Sequence, residues 1–248
     1  MKKNKKILIT GASSGLGRQM AIEFAGRGYD LALAGRGIKK LKELKTAIQG
    51  SCSVTVGIFE LDVTDFNKNR CVIFEAAEKL GSLDIVIAGA GISGVTKIGV
   101  SGFENTVSII NTNVIGAMAT IDAAVALFRK QGHGHVVGIS SVAGFRGFPK
   151  AGAYCASKAA MTVYLQALQA AVWGTEIKVT NLAPGYIDTP LNRGEPRRPF
   201  LISVEKGGVI LANLIEKQVK FSTAPRFPWG IVRHILKILP TNILARLF

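Results

Sequence analysis

Acidic residues are scarce in this chain. Its 248 residues carry 16 Asp and Glu against 31 Lys and Arg, a formal charge of +15. A surplus of that size suits an anionic partner, whether a nucleic acid, an anionic membrane surface or a phosphate-bearing small ligand. No aromatic-interleaved basic stripe or helix-turn-helix pattern accompanies it, so nucleic acid is not expected. Cysteines number three, Cys52, Cys71 and Cys155, and they are scattered. They form neither a disulfide framework nor a metal-ligand spacing, and His133, His135 and His234 add none. No metal site is expected, and a reducing, cytoplasmic setting is the natural reading. Long apolar runs are missing too. The basic start, Met1 to Lys6, leads into a run that stops at Gly11, too short for a signal-peptide core, and no stretch is expected to span a membrane. In abundance are hydrophobic residues, 48%, and 28 glycines, which fit one tightly turned domain with a sizeable core.

Lys6 to Thr10, centred on Ile7-Leu8-Ile9, reads as a short buried strand running straight into Gly11-Ala12-Ser13-Ser14-Gly15-Leu16-Gly17. A helix follows, with Met20, Ala21, Phe24 and Ala25 on one face. Strand, glycine turn and helix N-terminus together present backbone N–H groups to a phosphate or pyrophosphate. The glycines let the backbone approach such a ligand, and Ser13 and Ser14 add hydroxyl donors. The second strand, Asp30 to Ala34, ends at Gly35-Arg36. Dinucleotide folds place an acid here for a ribose 2′-OH, whereas an arginine suits a 2′-phosphate. No Asp or Glu occurs from Leu31 to Lys42, while Arg36, Lys39, Lys40 and Arg18 crowd the region, which predicts NADP(H) over NAD(H).

A third strand, Ser53 to Glu60, leads to Leu61-Asp62-Val63-Thr64-Asp65. Asp62 either contacts adenine, or Asp62 or Asp65 caps the helix that runs to Leu80. The fourth strand, from Leu83, opens into the small residues Gly89-Ala90-Gly91, which leave room for a ligand. The predicted helix Phe103–Lys130 carries Asn111 and Asn113 among apolar residues. A buried amide needs partners, so Asn113 is either a local hydrogen-bonder or part of a polar relay.

The fifth strand, His135 to Ile139, ends at Ser140-Ser141, and a loop from Val142 to Gly152 leads to Tyr154-Cys155-Ala156-Ser157-Lys158. That run opens a helix to Trp173. Residues four apart share a helix face, so the Tyr154 phenol and the Lys158 ammonium emerge side by side. A neighbouring cation stabilises a phenolate, lowers its pKa from about 10 and makes proton transfer feasible. A sixth strand, Ile177 to Leu182, is closed by Pro184-Gly185-Tyr186-Ile187-Asp188-Thr189, and Pro190 to Pro199 reads as a mobile lid. Strands alternating with helices predict a single-domain α/β fold, a doubly wound parallel sheet with helices on both faces. Residues 1–190 form the core, 191–226 the lid and final core elements, and 227–248 a basic amphipathic tail.

In order and separation, Thr10-Gly11-x3-Gly15-x-Gly17, Asp62, Asn113, Ser141, Tyr154-x3-Lys158 and Pro184-Gly185 resemble the motif series of the short-chain dehydrogenase/reductase family, in its ordinary, non-extended branch. The resemblance implies a Rossmann-type fold and hydride transfer between nicotinamide and a carbonyl or alcohol carbon. It implies Tyr154 as proton donor in reduction and base in oxidation, with Ser141 holding the substrate oxygen. Lys158 would lower the Tyr154 pKa and bind the nicotinamide ribose, and Asn113 would hold a water linking Lys158 to solvent. One end of the cofactor is implied at Gly11, Ser13, Ser14, Gly15, Leu16 and Gly17, and its middle at Arg36, Asp62, Val63 and Ala90. The nicotinamide end falls to Tyr154, Lys158, Pro184, Gly185, Ile187 and Thr189. The family also implies a homodimer or homotetramer through the helices of 103–130 and 154–173. One departure stands out: Gly89-Ala90-Gly91 replaces the usual Asn-Ala-Gly, whose amide ties neighbouring loops, so loop order or local stability is expected to differ there.

On a helix, Trp229, Val232, Ile235, Leu236 and Leu239 of the tail fall on one side and Arg233 and Lys237 on another. The tail is either a docking helix against the core or a partner subunit, or an interfacial membrane helix with cationic flanks that gives weak peripheral contact. The expectation is an NADP(H)-dependent oxidoreductase acting on a lipophilic carbonyl or alcohol. The alternative is a non-catalytic nucleotide-binding regulator or peripheral membrane-binding protein of the same fold.

Overall fold

Strands buried on both faces read as largely apolar runs, as the centres of several strands here do. In β1 (Lys6–Thr10) every residue is buried, and likewise in β4 (Ile85–Ala88). With β2 (Asp30–Gly35), β3 (Val56–Glu60), β5 (Gly134–Ile139), β6 (Ile177–Pro184) and β7 (Phe221–Ala224) they form one parallel sheet in the order β3-β2-β1-β4-β5-β6-β7. This computed structural model describes residues 4–100, 102–194 and 197–247. Met1 to Lys3 of the basic start, Glu195 and Pro196 of the expected lid, and Phe248 of the tail lie outside the described residues.

Two helical layers cover the sheet. On one face, α1 (Gly15–Gly26), α2 (Ile38–Gln49) and α7 (Val204–Glu216) bury Met20, Phe24, Leu44 and Leu211 against β1 and β2. On the other, α3 (Phe66–Leu80), α5 (Ala117–Gln131) and α6 (Gly152–Ala171) bury Ile73, Ile121, Phe128 and Leu165. Each such side chain contributes roughly 1.5–3 kcal/mol over the exposed state. The strand order reverses between β1 and β4, which pair Ile7 with Ile85. A crevice opens at the carboxyl ends of strands at such a reversal, and the site lies there.

The structure departs from the sequence reading in several places. The third strand starts at Val56 instead of Ser53, because the Thr55 N–H donates to the Asp30 carboxylate (2.8 Å) and the Val54 N–H turns back to Cys52 O (3.0 Å). The helix expected over 103–130 is α4 (Phe103–Ile110) joined to α5 through a π-helical stretch, Asn111–Gly116. Taken together, Phe103–Gln131 is 29 residues long and apolar enough to cross a membrane by length and composition, contrary to expectation. The signal is masked in the sequence by Asn111, Thr112 and Asn113, which are polar but uncharged. In the fold, Ile109, Ile121 and Phe128 of this run are buried in the core.

The loop after β5 contains a 3-10 turn, Val142–Phe145, whose Ala143 N–H donates to the Ser141 hydroxyl. The sixth helix stops at Ala171, two residues early, where the Thr175 hydroxyl donates to Val172 O and Gly174 adopts a left-handed conformation. Beyond the predicted strands lies β7, four residues paired in parallel with β6 and too short to carry a periodic signal. The tail folds as α8 (Trp229–Ile238) and α9 (Thr241–Leu247).

Candidate active site

The floor of the crevice is the glycine turn. Gly11 takes a left-handed conformation, and a Cβ there would stand 2.8 Å from Ala90 Cα. Gly17 lies so close to the Gly11 carbonyl that any side chain would collide with it. These contacts bring the N-terminus of α1 against the ends of β1 and β4. That terminus has no side-chain cap and no acid in its first turn, so its backbone N–H groups are not taken up by either.

At the exit of β2, Arg36 Nη1 stands 3.6 Å from Asp62 Oδ2. Asp62 accepts from the Thr64 N–H and hydroxyl, and these bonds with nearby Arg36 hold its carboxyl below the usual range. Asp65 caps α3, accepting from the Lys68 N–H. The two aspartates left open by the sequence thus divide, Asp65 to the helix and Asp62 to the crevice edge.

The absent amide of Gly89-Ala90-Gly91 has a local substitute. The Thr10 hydroxyl accepts from the Gly89 and Ala90 N–H groups (3.1 and 3.3 Å) and donates to Ile87 O. A Cβ at residue 89 would stand 2.9 Å from Thr10 O, so a larger residue would have to push β1 and β4 apart.

Opposite the turn, β5 and α6 supply the polar wall. Ser141, at the end of β5, donates to Pro184 O (3.4 Å). From the first turns of α6 come Tyr154 and Lys158, both directed into the crevice. Lys158 is buried, and its ammonium donates to Ile139 O (2.9 Å) while standing 5.7 Å from the Tyr154 ring centre. Burial pushes the phenol up to about 12, only partly offset by its contact with the Ser141 hydroxyl, and pushes the ammonium down to about 8. The expected lowering of the Tyr154 pKa by Lys158 is therefore not what this geometry gives: desolvation dominates both groups.

Asn113 stands one layer behind. Its amide brackets the backbone of Ile92, accepting from the N–H and donating to the carbonyl (both 2.8 Å). It also donates to the Ser157 hydroxyl, which donates to Tyr154 O. The π-helical stretch, which lets the helix bulge locally, presents it there.

Together these walls enclose a cleft of about 770 Å³. Every residue the sequence placed against the cofactor lines it, from Gly11 to Gly17, Arg36, Asp62, Val63 and Ala90, through Pro184, Gly185, Ile187 and Thr189. Ser141, Tyr154 and Lys158 line it too, and Asn113 does not. The segment after β6 folds back over the turn, with Thr189 Cβ 3.5 Å from where a Gly15 side chain would begin. Of the segment expected as a lid, Pro190, Leu191, Asn192 and Pro199 line the cleft, and its neighbours tie it down: Asp188 pairs with Arg198 (2.9 Å) and Arg193 (3.7 Å), and the Ser93 hydroxyl donates to Leu191 O.

The sequence offered the tail helix as a docking element with Trp229, Val232 and Leu236 on one side, but did not place those residues in the site. Trp229, Val232 and Leu236 of α8 line the cleft, with Phe148 and Phe200. The Trp229 ring occupies the space a side chain on Gly185 would need and packs edge-on to Phe200 (5.7 Å). Ile235, assigned to the same helical side, is half exposed instead. The available signal was Gly185 itself, a glycine that leaves room for an aromatic ring. Among the described residues, no three His, Cys, Asp or Glu side chains gather as metal ligands.

A family model described as short chain dehydrogenase matches residues 5–198. An uncharacterized oxidoreductase of Mycobacterium tuberculosis (strain CDC 1551 / Oshkosh) is 35% identical over 244 residues, 98% of this chain and 96% of the relative. An NADP-dependent 3-hydroxy acid dehydrogenase of Schizosaccharomyces pombe is 31% identical over 187 residues, 75% of this chain and 72% of the relative. The crystal structure of a short chain dehydrogenase/reductase from Burkholderia phymatum in complex with NAD has the same fold, with a TM-score of 0.84, 20% identity and 94% of both chains covered. Fold, crevice and family match agree, and the chain belongs to the short-chain dehydrogenase/reductase family of pyridine-nucleotide oxidoreductases.

Proposed function

We propose that the protein interconverts a carbonyl and an alcohol on a lipophilic small molecule, with NADP(H) as its cofactor. The observation that carries this reading is the convergence of Ser141, Tyr154 and Lys158 on one cleft wall, across from the glycine turn. The turn would hold the cofactor's phosphates, and Tyr154, Lys158, Pro184 and Gly185 would hold its nicotinamide end, whose chemistry is to supply or accept the hydride. Tyr154 donates its phenolic proton to the carbonyl oxygen in reduction and recovers it in oxidation, and the Ser141 hydroxyl steadies the same oxygen. A phenol held at about 12 keeps its proton at neutral pH, as a donor must. Lys158 and Asn113 form the return path: a Cβ on Gly91 would lie 3.3 Å from Asn113 Oδ1 and 3.6 Å from Lys158 Nζ, so both polar groups face one small space.

The preference for NADP(H) rests on Arg36 at the end of β2, and on Arg18 and Lys40 lining a recess of about 380 Å³ beside Ser13 and Ser14. The named cofactor of the fission-yeast relative points the same way. A lipophilic substrate follows from the apolar wall of Trp229, Val232, Leu236 and Phe148. Self-association is part of the proposal, through the exposed apolar side chains Phe103, Val107 and Val163 on α4 and α6.

The test is direct. NADPH should bind at least about tenfold more tightly than NADH, a difference of about 1.4 kcal/mol, and should be oxidised with some member of a panel of aldehydes, ketones and 3-oxo acids. Tighter NADH binding overturns the cofactor assignment. Tight NADPH binding with no turnover on any carbonyl or alcohol overturns the reaction.

A further inference from the structure

We infer that the outward face of α8 is a docking surface for an anionic lipid bilayer. The helix is apolar on two sides, and the protein's own packing uses one of them. Trp229 and Leu236 face inward, 4% and 9% exposed, and with Val232 they wall the cleft. On the other side stand Phe227, Ile231, Ile235 and Ile238, exposed by 74%, 59%, 50% and 81%. Ile231, Ile235 and Ile238, spaced four and three apart, share one face of the helix, and Phe227 stands just before its start.

Charge identifies the occupant. Residues 217–248 contain Lys217, Lys220, Arg226, Arg233, Lys237 and Arg246 and no Asp or Glu, so this segment carries six of the chain's fifteen excess positive charges. Two of the cations stand on α8 itself, Arg233 over the Phe221 ring (4.9 Å) and Lys237 over the Phe145 ring (5.8 Å). Arg146 fixes the end of α8 by donating to Leu239 O (2.9 Å). An apolar stripe flanked by cations matches the acyl boundary and anionic headgroups of a bilayer. A second copy of this chain fits poorly, because a symmetric contact through α8 would set cations against cations. The other exposed apolar patch, on α4 and α6, has Glu104 in the first turn of α4 and lacks that signature.

A single short amphipathic helix binds reversibly and in a salt-sensitive way. The experiment is co-sedimentation of the full-length protein with vesicles of phosphatidylcholine alone or mixed with phosphatidylglycerol. The expected result is partitioning onto the mixed vesicles at least about tenfold above the neutral ones, lost as salt rises from about 0.05 to about 0.5 M. Ile231→Ser with Ile235→Ser should abolish it, as should Arg226→Glu with Lys237→Glu. Both variants should keep NADPH affinity and melting temperature, and should the first pair melt early, the charge pair carries the test alone. The inference is overturned if the wild type stays in the supernatant with both vesicles, or binds neutral and anionic vesicles equally. It is also overturned if the isoleucine pair changes the oligomeric mass while leaving vesicle binding intact. No turnover is measured, so this result stands or falls apart from the reductase reading.

Discussion

Ser141, Tyr154 and Lys158 stand on one wall of the cleft, and Trp229, Val232, Leu236 and Phe200 on the other. The first wall lies on β5 and α6, elements fixed in the sheet and its covering layer. The second comes from a tail helix and a loop outside the sheet. Burial works against the ionised forms on the first wall, raising the phenol and lowering the ammonium. On the second it works for the fold, with the Trp229 ring set edge-on to Phe200 and tilted to Tyr186. One wall holds chemistry at a cost in stability, and the other contributes stability and shape.

If that division is right, substitutions on the two walls should separate activity from stability. The largest effect belongs to Tyr154→Phe. Removing the proton donor should lower kcat/KM by about 10²–10⁴, with NADPH affinity and melting temperature unchanged. Steady-state kinetics beside a fluorescence binding titration checks both halves. Full turnover would place the proton source elsewhere.

Trp229→Ala is the mirror image. Emptying the space over Gly185 should destabilise the fold by about 3–5 kcal/mol, seen as a drop of roughly 10 °C in Tm. KM for a long-chain carbonyl should rise while kcat for a small one stays near wild type. An unchanged Tm would mean that α8 contributes no packing to the core. The Trp229 N–H finds no partner among the described residues, so part of this loss is offset by relieving a buried donor.

The same division explains what the sequence disclosed. The chemical wall was readable because each part has a local signature: a spacing of four from Tyr154 to Lys158, two serines at the end of β5, and glycines where β1 meets α1. Such signals depend on nearest neighbours along the chain. The apolar wall depends on where α8 lands, which no local pattern records. A helix apolar on two sides gives no rule for choosing the buried one, and Ile235 was accordingly placed with Trp229 when it faces outward. The π-helical stretch was hidden for a related reason, since it coincides with a tertiary contact, the Asn113 amide clasping Ile92. The raised pKa of Tyr154 was not legible because spacing gives proximity to Lys158 and says nothing of desolvation.

Lys158→Met tests the cost of the chemical wall. The folded-state pKa of Lys158 is depressed from 10.5 to about 8. Below about 8 both states are protonated and the full burial penalty applies. From there to 10.5 the unfolded state holds the extra proton, so stability rises with pH and the penalty fades. Methionine removes the charge and the bond to Ile139 O together, leaving a net gain of about 2 kcal/mol at neutral pH. The variant should lose activity yet melt higher, and its advantage over wild type should shrink between pH 8 and 10.5. A lower Tm at neutral pH would show that the hydrogen bond outweighs desolvation.

The smallest effect lies at the far end of the cleft, where neither wall reaches and the contacts are wet. Arg36 is 69% exposed and its pairing with Asp62 at 3.6 Å is loose, so it contributes little to folding. Arg36→Ala should leave Tm within about 1 °C, since exposed changes shift stability by only about 0.5 kcal/mol. Its consequence should be confined to the cofactor: NADPH affinity falling about tenfold, or about 1.4 kcal/mol, with NADH affinity unmoved. An equal loss for both cofactors would mean that Arg36 meets a group they share. No loss for either would move the 2′-phosphate contact to Arg18 and Lys40, which line the neighbouring recess, and a charge removal at those two positions would then reproduce the NADPH-specific loss.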